Sequence, residues 1–290
     1  MIIMLPYHPQ HIPTHLRWGP KEDVASKGRY MPQVPETVFG IRNNNSVLRL
    51  RTAQPDRRPH RGLPQPRLCE AAYLGHNNEI KNFQRAVPDI PAFTNAFSAI
   101  ARGSLIACEH GPVAVEDLLP GDRVCTLDNG LQPLLWIGSM ALERPSDAQT
   151  SPGLTRITAD SFGMSRPMPD LVLGQAARLL RRDTALVNTL GSPKALAPVS
   201  AFADGETVLS IAPMARTRVY HLLFANHQII RANGLEIESY HPEKTLRTSL
   251  SRELLLTFMD LFPHLVSLGG FGATAYPHLS QDTTLELLSA

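Results

Sequence analysis

Residues 101–130 read ARGSLIACEHGPVAVEDLLPGDRVCTLDNG, and their rhythm decides the fold. The apolar runs LIAC, VAVEDL and RVCTLD are short, and the gaps between them, HGP, PGD and DNG, hold turn-forming residues. Short apolar runs recurring every ~8–12 residues mark a compact all-β unit. The pattern continues through PLLWIG (133–138), TRITAD (155–160), DLVLG (170–174) and ETVLSIAPM (206–214). VYHLLF (219–224), HQIIRA (227–232) and LEIESY (235–240) close it. The pairs Asn129-Gly130 and Asn233-Gly234 favour tight type I′ hairpin turns. QAARLLRRDTALVN (175–188) reads either as one helical interruption or as a strand followed by a loop.

The whole chain has 290 residues, 43% hydrophobic and 19% charged, enough for a substantial core in one or two domains. Its net charge of +2 gives no general attraction to nucleic acid or membrane, but the charge is unevenly spread. Residues 1–90 hold 13 Lys and Arg against 7 Asp and Glu; the remainder hold 15 against 19. The basic excess lies in RLRTAQPDRRPHRGLPQPR, Arg49–Arg67, where four prolines point to a solvated, extended linker. That stretch is the one hint of a nucleic-acid partner, and the linker reading is preferred. The cysteines, Cys69, Cys108 and Cys125, have no C-x-x-C spacing and suit neither a disulfide framework nor a thiolate metal site. No apolar run approaches the ~20 residues of a membrane span, and MIIMLPYHPQHIPTHLRW lacks a secretory h-region. The expectation is a cytoplasmic chain without membrane contact, leaderless secretion remaining compatible.

Three regions follow from composition. Residues 1–92 form a Pro/Arg-rich arm and lead-in, with ten of the chain's 25 prolines before residue 67. Within it, VLRLR (47–51) alternates like a short edge strand, and 68–92 reads as an extended lead-in beside the next region. Residues 93–245 are the β domain. Residues 246–290 are a helical tail, in which Leu250, Leu254, Phe258 and Leu261/Phe262 recur at helical spacing until Pro263. Their apolar face is expected to pack on the β unit, with loop beyond.

Two blocks resemble a known family. ARGSLIA…GPVAVEDLLPGDRVCTLDNG…PLLWIG (101–138) is similar to the opening of a bacterial-type Hint (hedgehog/intein) domain. There a Gly-Thr-x-Ile strand leads to VEDL-x-PGD-x-V and then QPLRWIG. VYHLLFANHQIIRANGLEIESYHP (219–242) resembles the closing blocks of the same fold, with a Val-Tyr-x-Leu strand, a central His and an ANG hairpin. The resemblance spans about residues 93–245 and implies a mainly β, horseshoe-like module, here with a short C-terminal helix and a loosely ordered N-terminal arm.

Hint chemistry starts with a thiol or hydroxyl attacking the preceding carbonyl, an N-to-S or N-to-O acyl shift. A His protonates the departing nitrogen and hydrogen-bond donors steady the oxyanion. By resemblance the nucleophile position, four residues before Gly103, falls on Ala99. The family His in Ser-Pro-x-His-Arg falls on Ala177, followed by Arg178. The intein His-Asn junction aligns with Glu238-Ser239, which has no Asn to cyclise, and the Asp some inteins carry after Val-Tyr corresponds to His221. No catalytic residue is therefore expected. The weak candidates are Ser98, one residue early and on the opposite face of an extended segment, and Cys108, beyond the first strand. His221 can in principle supply acid–base chemistry, and His227 aligns with the family's central His, an assisting or structural position. The expected function is a Hint-domain protein without self-processing that serves as a binding or structural module for a protein partner. The alternative is self-cleavage through a displaced nucleophile.

His221, His227 and His241 lie near Glu236, Glu238 and Glu243, but their spacing matches no standard zinc pattern, and neither metal nor cofactor is expected. Asp117 and Asp122 flank the Pro-Gly turn and read as turn chemistry. The chain lacks GxGxxG, a Walker loop and a GxSxG elbow.

Overall fold

The computed structural model describes residues 66–143 and 153–289. VLRLR (47–51) and all but the last two residues of Arg49–Arg67 lie outside that range, as does the expected arm up to residue 65. The described residues form a mainly β structure of sixteen strands in two antiparallel sheets, with five short helices. In chain order the strands begin with β1 (Arg67–Leu74), β2 (Ile80–Val87), β3 (Ile100–Ala101), β4 (Leu105–Cys108) and β5 (Gly111–Ala114). They continue with β6 (Arg123–Thr126), β7 (Gly130–Pro133), β8 (Trp136–Leu142), β9 (Leu154–Ile157), β10 (Leu171–Gly174) and β11 (Arg178–Arg182). The last are β12 (Lys194–Pro198), β13 (Val208–Ile211), β14 (Thr217–Leu223), β15 (Ile229–Ala232) and β16 (Leu235–Glu238). One sheet runs β13-β9-β10-β3-β14-β8-β1-β2, and the other β12-β11-β16-β15-β4-β6-β7 with β5 on the side of β4.

The opening stretch is the first crossing between the sheets. β3 belongs to one and β4 to the other, and Arg102–Ser104 turn the chain between them. Gly103 sits at φ +86°, a backbone region that L side chains rarely adopt, and its N–H donates to Glu116 Oε2 at 2.8 Å. The Asp122 carboxylate accepts the Leu119 N–H at 2.8 Å, closing the Pro-Gly turn. The acidic residues of VEDLLPGD thus satisfy backbone donors that no strand pairs.

β14 shows why the core strands are apolar on both faces. Tyr220 and Leu222 join the cluster with Ile106, Val124, Leu179, Ile230 and Ile237, residues of the second sheet. Val219 and Leu223 face the other way and join Trp136 and the C-terminal helices. α3 (Leu246–Ser249) and α4 (Arg252–Met259), with α4 capped by Ser251 Oγ accepting from Leu254 N–H, pack there as the sequence periodicity predicts. Trp136 Nε1 donates to the Leu261 carbonyl at 2.8 Å, and the Phe262 ring lies 4.9 Å from Trp136 and 5.4 Å, stacked, from Tyr240.

Several local readings sharpen. Residues 68–92, read as a lead-in, hold a hairpin in which β1 pairs with β8 from Cys69–Met140 to Tyr73–Trp136, followed by α1 (Pro91–Thr94). The hairpin thus extends the first sheet as its edge, and Cys69 and Ala71 on β1 join the buried cluster around Trp136. Segment 175–188 resolves as a strand, β11, then a turn into α2 (Leu186–Leu190). Asn233-Gly234 forms the two-residue hairpin expected, both residues at positive φ, joining β15 to β16. Asn129-Gly130 does not: Thr126 pairs with Gly130 across a three-residue loop in which Gly130 is left-handed, at φ +63°, and the Thr126 hydroxyl donates to the Gly130 carbonyl at 2.7 Å. The terminal segment read as loop contains α5 (Gln281–Ser289). No helix among the described residues is long and apolar enough to cross a membrane.

Phe262→Ala removes a fully buried ring shared by Trp136, Tyr240, Phe258 and Phe271. Urea denaturation should show a loss of about 3–5 kcal/mol, the usual cost of truncating a core Phe.

Candidate functional site

A cavity of about 480 Å³ lies where β10 hands over to β11 and where β14 and β16 end. Its lining includes Ala177, Arg178, His221, Glu238, Tyr240 and His278. Of the two alanine positions, Ala177 lines it and Ala99 does not. Ala99 is 0% exposed; its N–H donates to the Tyr220 carbonyl at 3.0 Å and its carbonyl accepts from Gly174 N–H at 2.8 Å. Ala177 is 1% exposed, and its carbonyl accepts the Val199 N–H at 3.0 Å. Both are locked in backbone ladders and present only a methyl group. Gly174 permits this packing, since a Cβ there would stand 2.2 Å from the Ser98 carbonyl oxygen.

The weak candidates fall in separate places. Ser98 is buried, its carbonyl accepting the Ala176 N–H at 3.0 Å, and it is not among the cavity-lining residues. Cys108 lies on β4 opposite Val124 and Gly111, away from the lining residues. Burial, then the Asp122 charge, push its thiol up to about 11, so near neutral pH it is the unreactive protonated form.

His221 projects from β14 toward Tyr240, edge-on with ring centroids 5.1 Å apart. Its Nδ1 lies 2.8 Å from the Asn95 carbonyl, an acceptor, so the ring proton sits on Nδ1. Nε2 is buried without a hydrogen-bond partner. Burial dominates and holds the imidazole down at about 4, against smaller opposing effects of the Asn95 carbonyl and the Glu238 charge. His221 is thus a buried histidine hydrogen-bonded to a neighbouring carbonyl, neutral and poorly basic.

The charged centre of the site is Glu238, at the end of β16. Burial works against its charge, yet the His227 and His278 imidazoles beside it prevail and hold its carboxyl down at about 2. His227 Nε2 lies 3.0 Å and His278 Nε2 2.6 Å from the same oxygen, Oε1, while Arg178 Nε stands 3.6 Å from Oε2. His227 Nδ1 accepts the Ala275 N–H at 2.8 Å, which leaves the ring proton on Nε2, 3.0 Å from the carboxylate but outside hydrogen-bond geometry. That tautomer gives Nε2 no free lone pair for a cation. Among the described residues no three His, Cys, Asp or Glu side chains converge as metal ligands. Ser239 is buried beside it, its Oγ accepting the Gln228 N–H at 2.9 Å.

His278 and Arg178 complete this centre. Residue 278 sits in a stretch with no periodicity, and only the uncommon Tyr-Pro-His sequence marks it. Of the histidines considered from sequence, His241 joins the edge of the group, its ring 5.1 Å from that of His227, and burial lowers its pKa.

The family model described as Hint domain matches residues 98–244, half of the chain. The chain belongs to the Hint domain family. A search of curated proteins found no match to it. The Hint stretch contains every residue of the site except those contributed by α1, the loop around it and the C-terminal segment.

The histidines set the pH response. His221 stays neutral in the folded state to about 4, while an unfolded chain takes up its proton near the ordinary value of 6.5. The unfolded state then binds more protons, so stability is full above about pH 6.5 and falls as the pH drops toward 4. Glu238 adds a separate loss only below its ordinary value of 4.5, continuing to about pH 2. Comparing pH 7 with pH 4.5 by chemical denaturation, wild type should lose about 2–3 kcal/mol more than His221→Gln. Equal losses in the two proteins would show that His221 does not carry the effect.

Proposed function

We propose that this Hint module does not process itself and works as a binding or structural unit for a protein partner. The observation that carries the reading is the pair of fully buried alanines, Ala99 and Ala177, at the positions where the family resemblance calls for the nucleophile and the acid. A methyl group neither attacks a carbonyl nor delivers a proton, and both chemical roles are needed for an acyl shift. Three further features support it. The closing position carries Glu238 and Ser239, both already engaged in hydrogen bonds. The Cys108 thiol is held in its protonated form by burial. His221 is neutral with its free nitrogen sealed from the cavity. Framework turns that match the family resemblance beside small packing residues at the expected reactive positions suit a scaffold whose use is its surface.

Intact-mass spectrometry of the purified full chain, incubated near pH 7 with and without thiol and hydroxylamine, should give one species at the full mass. A fragment ending near residue 98, or one released near residue 239, would overturn the reading. Its loss on Ser98→Ala or Cys108→Ala would name the displaced nucleophile.

A further inference from the structure

The residues that hold the segment Ala275–Leu279 in place all belong to the Hint stretch 98–244, while the segment itself lies beyond it. Each position of Ala-Tyr-Pro-His-Leu meets its own partner. The Ala275 N–H donates to His227 Nδ1 at 2.8 Å. The Tyr276 hydroxyl donates to Asp128 Oδ2 at 2.8 Å, and Lys194 Nζ stands 5.0 Å from the centre of its ring. The Pro277 carbonyl accepts the Leu196 N–H at 2.8 Å, and the Leu279 N–H returns to the Leu196 carbonyl at 2.8 Å, a parallel bridge to the edge strand β12. His278 reaches the buried Glu238 at 2.6 Å. Leu279 fills an apolar pocket of Leu186, Ala195 and Ala197.

We propose that the β12 edge, Glu238 and the Leu186 pocket form a recognition groove for an extended protein segment of aromatic-Pro-His-Leu chemistry. The chain's own tail occupies it in cis. The inference rests on the binding-module reading and names the partner's chemistry. Strand addition supplies sequence-independent hydrogen bonds, and the alternating pockets supply the choice of side chains. The carboxylate selects a hydrogen-bond donor at the His position, because an apolar side chain there would leave a buried charge with one partner fewer. The backbone of the cis segment makes four hydrogen bonds, at the Ala275 N–H, the Pro277 carbonyl and the Leu279 N–H and carbonyl, and a partner that displaces it must replace them together with the side-chain contacts. Displacement also opens the cavity, since His278 and Gln281 form part of its wall.

The probe is a fluorescently labelled peptide of residues 273–281, titrated into full-length protein. The His278→Ala/Leu279→Ala chain, with its own tail weakened, should bind the peptide at least ~10-fold more tightly than wild type does. A peptide with Ala at the His and Leu positions should not bind. In parallel, hydrogen exchange on the wild-type chain should show the Ala275, Leu196 and Leu279 amides opening at least ~10-fold faster than the Ile230 amide. No binding to a folded double variant, or exchange of those amides only with global unfolding, overturns the proposal. If the double variant does not fold, the exchange result decides. Self-cleavage seen by intact mass would remove the non-processing reading and leave the exchange outcome as it stands, so the two failures are told apart.

Discussion

The side chain of Asn233 holds the two sheets to one another. Its Oδ1 accepts the Leu105 N–H at 2.6 Å, where β4 enters the second sheet, and its Nδ2 donates to the Pro169 and Asp170 carbonyls just ahead of β10 in the first. Its backbone meanwhile turns the β15–β16 hairpin at φ +46° and exchanges a further hydrogen bond with Leu105. Asparagine combines one acceptor, two donors, a short stem and tolerance of the left-handed region, and few other residues meet all four demands. Gly234 beside it leaves room for the loop that carries β10, since a Cβ there would stand 2.7 Å from the Ser165 carbonyl oxygen. Ala177, His221 and Glu238 meet at one cavity, between elements that this side chain ties together.

Within that frame, two titratable groups of the site are held each in a single state near neutral pH, His221 neutral and Glu238 charged, and burial keeps Cys108, away from it, as the thiol. A catalytic centre at neutral pH needs the reverse, groups poised near the working pH so that protons move both ways. The Glu238 centre spends its polarity on joining β16, β11 and the C-terminal segment, a structural use of buried charge.

Much of the fold was legible because its signals are local. Short runs separated by Gly, Pro and Asp announced the strands, Asn233-Gly234 announced its hairpin, and the Leu250–Phe262 spacing announced a helix that packs on the sheet. The readings that needed sharpening were those decided by distant partners. The β1–β2 hairpin has little alternation of its own, and pairing with β8 fixes it. The Asn129-Gly130 pair closes a three-residue loop, with Gly130 left-handed and the Thr126 hydroxyl bonded to its carbonyl, and not the two-residue turn its type suggests. The His278–Glu238 contact joins residues forty apart, and no spacing rule relates them. Of the candidate positions taken from the family resemblance, Ala177, His221 and Glu238 line one cavity, while Ala99, like Ser98 and Cys108, lies outside its lining.

The docking of Ala275–Leu279 has a consequence for how the protein is made. Chains leave the ribosome N-terminus first, and early parts begin to fold while later parts are still being added. The strands that carry Glu238, Leu196 and Lys194 therefore emerge before the segment that completes them. Until residues 275–279 arrive, the newborn module carries a carboxylate short of a partner, an uncovered β12 edge and an unfilled Leu186 pocket. Translation that stops after Gly272 leaves it in that state permanently, with an open strand edge of the kind that recruits other chains. The presence of residues 275–279 is thus what covers the β12 edge.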